Sequence, residues 1–123
     1  MINPIQVLPA IALRGTAILP GMIVHFDVSR ERSVKAIEAA MLNDQKIFLV
    51  TQKDAEVETP EISDLYHVGT IAYIKQVVKL PKNLLRVLVE GTERAELLSF
   101  SQEAPFLESE ISVLSAEDEE EYP

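Results

Sequence analysis

The chain has no cysteine, no tryptophan, only four glycines and only two histidines in 123 residues. Without cysteine there is no disulfide framework, no thiol nucleophile and no thiolate metal site. The absence suits a cytosolic protein, and a cytoplasmic location is expected. No apolar run approaches the ~20 residues that cross a bilayer. The longest, residues 17–24, is broken by Pro20 and Gly21. The N-terminus, Met-Ile-Asn-Pro-Ile, has no basic region and no cleavage pattern, so no secretory signal is expected. Gly15, Gly21, Gly69 and Gly91 are wrongly spaced for a phosphate-binding P-loop, and no Lys-Ser/Thr pair follows Gly21. No basic stripe is present to neutralise phosphates, which disfavours nucleic-acid binding.

What is present is an ordinary globular composition, 47% hydrophobic and 25% charged, at a length that suits one domain. The net charge of −9 is uneven. Asp54, Glu56, Glu58, Glu61 and Asp64 share one stretch without a base, and Glu117, Asp118, Glu119, Glu120 and Glu121 crowd the C-terminus. Apart from those, the chain holds 11 bases and 10 acids, so the body is nearly neutral. Like-charged runs repel themselves and stay solvated. Residues 116–123 therefore read as an acidic linker or truncated tail behind a single domain at 1–115. An acidic interaction tail is the alternative.

Residues 5–8 form a short apolar run closed by Pro9, a strand pattern. Pro20-Gly21 is a turn, since proline presets φ and glycine accepts positive φ. Over residues 22–28, Met22, Val24, Phe26 and Val28 alternate onto one face. Ser29 is placed to cap a helix over about 30–42, where Val34, Ile37 and Met41 make an apolar stripe beside Ala40. Asn43 is its expected stop. Ile47-Phe-Leu-Val50 reads as a buried strand, and the acidic stretch with Pro60 as a loop. Residues 70–80 and 84–89 form a hairpin across Pro81-Lys-Asn83, with Asn83 at positive φ. Gly91 interrupts the next run as a bulge or bend does. Residues 94–100 and 106–114 complete the set. The pattern predicts an α+β, mostly β fold of about six strands in sequential antiparallel pairs, curled or barrel-like, with one helix against one side.

The residues offer little for catalysis. His25 and His67 lie far apart without ligand spacing, and no serine sits in Gly-x-Ser-x-Gly or Ser-x-x-Lys. No catalytic, cofactor-binding or metal-binding residue is assigned, and recognition is the function left. Apolar residues beside turns mark the candidate binding surface: Pro20, Met22, Leu65, Tyr66, Leu80 and Pro81. Arg30, Arg32 and Lys35 at the helix start mark a second one. The competing readings are caps on the core and ordinary solvated charge.

Longer segments add a resemblance. In order come Val7-Leu-Pro9 with Leu13-Arg-Gly15, Leu19-Pro-Gly-Met22, Val28-Ser-Arg-Glu-Arg-Ser33 and Ala36-Ile-Glu-Ala-Ala-Met41. Then follow Lys46–Gln52, Asp64-Leu-Tyr-His-Val-Gly-Thr70, Ile74-Lys-Gln76, Lys79-Leu-Pro81 and Arg86-Val-Leu-Val-Glu-Gly-Thr-Glu-Arg-Ala95. Their order and spacing over residues 5–114 resemble the N-terminal domain of the Lon family of bacterial ATP-dependent serine proteases. The chain departs from that pattern at Ala12, where the family usually has proline. It departs again at Ser29 and at the Lys82-Asn83 hairpin tip, where glycine is usual.

The resemblance implies a PUA-like fold. It implies capture of unfolded, damaged or degron-bearing proteins for an ATPase ring and a Ser–Lys peptidase, which lie C-terminal to this region in the family. It implies ATP and magnesium for that parent protease, none for this fragment, and a parent homohexamer. No nucleic-acid or membrane partner is expected. A stand-alone, non-catalytic protein-binding module of the same kind is the alternative.

Overall fold

The computed structural model describes residues 5–58 and 60–114. Six strands and one helix are found among them: β1 (Ile5–Leu13), β2 (Ile23–Val28), α1 (Glu31–Met41), β3 (Lys46–Thr51), β4 (Val68–Leu80), β5 (Leu84–Gln102) and β6 (Glu108–Val113). A 3₁₀ turn, Ile62–Asp64, closes the acidic stretch. The expected linker at 116–123 lies outside the described residues.

The strand order is β2-β5-β4-β3-β1-β6, and β5 pairs with β6 as well. Five strands thus close into a barrel, and β2 lies outside it on β5. The closure depends on the length of β5. Its first part pairs with β2 from Val28↔Leu85 to Ile23↔Glu90, and its second part pairs with β6 from Ala95 to Gln102. Between them the pairing with β4 skips from Ile71↔Glu93 to Ala72↔Gly91, leaving Thr92 as an extra residue. Such a bulge bends a strand. The Thr92 hydroxyl holds the bend by donating to the Ile71 carbonyl at 2.9 Å. The expected interruption at Gly91 is therefore a bulge within one strand, not a break between two.

Gly91 has a second task. A Cβ there would overlap the Leu19 carbonyl oxygen. Its amide donates to the Met22 carbonyl and its own carbonyl accepts from the Gly21 amide, both at 2.9 Å. The 19–22 turn is pinned to β5 in this way, with Gly21 at φ +87° as the turn requires.

Other expectations need correction. β1 does not end at Pro9 but runs to Leu13. Pro9 sits where the strand changes partner, from β6 (Ile5 to Pro9) to β3 (Ala10 to Leu13), which is a tolerant place for a residue lacking an N–H. The β1–β3 pair is parallel, because the crossover through β2 and α1 returns the chain in the same direction. Ser29 is not the helix cap. Arg30 occupies that position, no side chain caps it, and the first helical bond runs from the Val34 amide to the Arg30 carbonyl. Asn43 follows the helix, but the left-handed residue is Gln45, at φ 64°. At the hairpin tip Lys82 and Asn83 both take positive φ, 67° and 59°.

The interior forms two clusters. One lies between the sheet and α1, with Ile11, Ile37, Ile47, Ile74, Val87 and Val89 among its members. The other fills the barrel beyond, with Leu8, Phe48, Leu65, Ala95, Leu107 and Ile111. The helix contributes Ser33, Ala36, Ile37 and Ala40 to the buried side. These are mostly small, so α1 lies close on β1 and β3. Met41, expected in the stripe, is turned to the rim and 40% exposed. Every buried side-chain nitrogen and oxygen among the described residues has a hydrogen-bond partner.

Candidate functional site

The sequence-predicted apolar residues do not form one patch. Leu65 is fully buried in the barrel cluster and is removed from the candidate surface. It is buried because the short bridge from Gln52 to Leu65 draws the segment inward behind the acidic loop. Tyr66 is 53% exposed near the start of β4, and Leu80 and Pro81 lie at or beyond its other end, 13 residues away in strand. Pro20 and Met22 sit midway, where Met22 bonds to Gly91 and Gly91 faces Ala72. Met22 is itself engaged, its sulfur accepting from the Leu19 amide at 3.2 Å.

Around Leu80 the structure builds a groove. Its volume is about 520 Å³. One wall is a face of α1 and the residue that ends it, with Val34, Ile37, Met41 and Leu42. The other is the β4–β5 hairpin, with Val77, Leu80, Leu84 and Leu85. Glu38, Lys79 and Asn83 supply the polar rim. Leu42, at the helix end, is 86% exposed. Sequence reasoning found Leu80 and missed Leu42. The signal was present: an apolar pair, Met41-Leu42, runs straight into the polar Asn43-Asp44 with no place left on the helix stripe.

Gln45 fixes the groove's width. Its amide bonds to the Ala40 carbonyl and its own carbonyl accepts from Ile74, at 2.9 and 2.8 Å. Its side chain donates to the Ile74 carbonyl and accepts from the Tyr73 hydroxyl. The helix end is thereby tied to the middle of β4, and the hairpin beyond packs on the helix through Val77 and Leu85 at the groove floor.

A second groove, about 630 Å³, lies at the other end of α1 and gathers Arg14, Arg30, Arg32 and Lys35 with Glu31 and Glu58. Arg14 was not singled out from the sequence. Here the charges are largely occupied. Arg30 donates to the Ala12 carbonyl at 2.8 Å, the Glu58 carbonyl at 3.1 Å and the Gln52 side chain at 3.3 Å. Arg14 donates to the Val57 carbonyl, and Gln52 donates to Asp54 and Val57. Together they clasp the acidic loop to β1. Burial, and then the positive charge of Arg14 and Arg32, lower the Arg30 pKa from its ordinary value. Lys35 pairs with Glu31 at 3.5 Å.

His25, on β2, and His67, just before β4, are both exposed and lie on separate elements. Among the described residues no three His, Asp or Glu side chains converge as metal ligands do. No helix among them is long and apolar enough to cross a membrane.

The family model for the ATP-dependent protease La (LON) substrate-binding domain matches residues 7–122. The chain belongs to that family. It is 56% identical over 110 residues to the Lon protease of Lachnoclostridium phytofermentans, covering 89% of this chain and 14% of that protein. It is 51% identical over 118 residues to the Lon protease of Clostridium acetobutylicum, covering 95% of this chain and 15% of that protein. This LON-family chain thus spans about one-seventh of the length of those relatives. The N-terminal domain of the Mycobacterium avium complex Lon protease superposes with a TM-score of 0.70 at 22% identity, over 89% of this chain and 55% of that one. The similarity confirms the mostly β fold with a single helix.

Proposed function

We propose that this LON domain captures protein substrates for an ATP-dependent protease. It binds unfolded, damaged or degron-bearing chains and delivers them to ATPase and Ser–Lys peptidase parts of a cytoplasmic homohexamer. ATP and magnesium act in those parts and no catalytic residue is supplied here. The family description supports the substrate-binding role, and the relatives named Lon protease support the protease context.

The observation that carries the reading is the apolar groove between α1 and the β4–β5 hairpin. An unfolded chain exposes aliphatic side chains that a folded one hides. The groove offers aliphatic walls and an exposed methionine, whose flexible thioether adapts to varied partners. It holds no convergent polar groups to select one sequence. Affinity is expected to be weak, because a groove of about 520 Å³ must offset the cost of ordering a flexible partner. Pro20, Met22, Tyr66 and Pro81 act as additional apolar contacts, and Arg32 and Lys35 as a peripheral charged one.

The test is selectivity for the unfolded state. The 123-residue chain is expected to bind reduced, carboxymethylated lysozyme and to ignore native lysozyme, measured by fluorescence anisotropy. Equal binding of both forms, or of neither, contradicts the proposal.

A further inference from the structure

β2 is the last strand of the sheet and pairs with β5 on one side only. The Gly91 amide donates to the Met22 carbonyl at 2.9 Å. Antiparallel ladders alternate in the direction of their peptide groups. Those of Val24, Phe26 and Val28 therefore face β5, and those of Ile23, His25 and Asp27 face outward. Among the described residues no other backbone segment bonds to these outward groups. Proteins usually blunt such an edge with charged side chains, proline or a bulge. β2 has no proline, lysine or bulge, and its one charged side chain, Asp27, is paired inward along the sheet with Arg86 of β5. It reads Ile-Val-His-Phe-Asp-Val, and its register with β5 is unbroken from Ile23 to Val28. The side chains of Ile23, His25 and Asp27 are exposed. A slot of about 230 Å³ lies between residues 26–29 and the end of β1.

We infer that the outer edge of β2 takes an extended segment of unfolded polypeptide as an added strand. The inference rests on the proposed capture of unfolded protein and supplies its mode. The edge presents peptide groups at the ~7 Å two-residue repeat of a strand. Only extended backbone matches that spacing, and backbone is common to every sequence. A folded protein has its own backbone already paired, so the edge discriminates by state of folding and not by side chain. A second copy of this chain fits less well. The strip is ~20 Å long and one strand wide, far short of the ~1,200 Å² that a stable dimer buries. The edge also adjoins the apolar groove, since Leu85, the partner of Val28, lines that groove.

Amide hydrogen exchange on the 123-residue chain with saturating reduced, carboxymethylated lysozyme tests this directly. Exchange at Ile23, His25 and Asp27 is expected to slow at least tenfold, with Val24 and Phe26 unchanged because β5 already protects them. Binding without that slowing overturns strand addition and leaves capture by the groove standing. No binding at all overturns both. Slowing that appears without the probe and grows with chain concentration assigns the edge to a second copy, and also overturns the inference. His25→Pro removes one outward N–H at an edge position where proline is tolerated. It is expected to weaken binding at least fivefold, while His25→Ala stays within twofold. Equal affinity for a folded His25→Pro variant and the parent chain contradicts strand addition.

Discussion

The two grooves at the ends of α1 share one helix and differ in what their side chains already touch. At the N-terminal end, Arg30 makes three hydrogen bonds to two other segments and Lys35 leans on Glu31. Arg30 is spent on holding β1, the helix start and the acidic loop together, and Lys35 on a pair within the helix. At the C-terminal end, Met41, Leu42 and Leu80 line a groove whose tie, Gln45, bonds to backbone, to Tyr73 and, at 3.9 Å, to the Met41 sulfur. Leu42 and Leu80 carry no such bond, and Leu42 is 86% exposed. The difference teaches that partner-seeking surface is marked by unspent contact, whereas the most engaged member of a charged cluster, Arg30, serves the fold.

The comparison can be broken most forcefully at Arg30. Arg30→Ala is expected to cost about 2–3 kcal/mol of stability in urea denaturation, because two carbonyls and the Gln52 side chain lose a charged donor. Binding of unfolded lysozyme should stay within twofold. A large binding loss with unchanged stability would make the cationic groove the binding site. The reciprocal change is Leu42→Ser with Leu80→Ser. Leu42 is 86% exposed, so its replacement alters stability by no more than about 0.5 kcal/mol. The pair together should weaken binding about tenfold, or about 1.4 kcal/mol, in an anisotropy titration.

Part of this division was legible in the sequence. Pro20-Gly21, the helix and the hairpin carry local signals, since proline, glycine and a 3.6-residue stripe act within a few residues. Leu80 was found because it stands beside a turn. Leu65 was misread for the same reason: its burial comes from pairing across the loop with Gln52, a contact no local pattern encodes. Ser29 has the right chemistry for a cap, but the helix begins one residue too late for it to reach the free amides. The parallel β1–β3 pair and the unbroken course of β5 are consequences of closure, which only the assembled barrel imposes. Arg30 looked like a surface charge because its three acceptors come from residues 12, 52 and 58.

A smaller effect separates engaged from ornamental charge on the open face. Arg86 donates to both carboxylate oxygens of Asp27, at 2.9 and 3.1 Å, and this hydrogen bonding chiefly lowers the Asp27 pKa. A depressed carboxyl favours the fold above its unfolded pKa, about 3.8, and that contribution is lost as pH falls through the lower folded value. Arg86→Ala should therefore flatten the loss of stability below about pH 4, slightly, because the pair is exposed. Lys35→Ala should change stability by no more than about 0.5 kcal/mol, since its partner Glu31 is an exposed i,i+4 neighbour.

The most direct measurement is a ¹⁵N amide-shift titration of the 123-residue chain with reduced, carboxymethylated lysozyme. The account predicts shifts at Met41, Leu42, Leu80, Leu84 and Leu85, together with Ile23, His25 and Asp27 of β2. Shifts confined to Arg14, Arg32, Lys35 and the acidic loop, with the apolar groove silent, would contradict it.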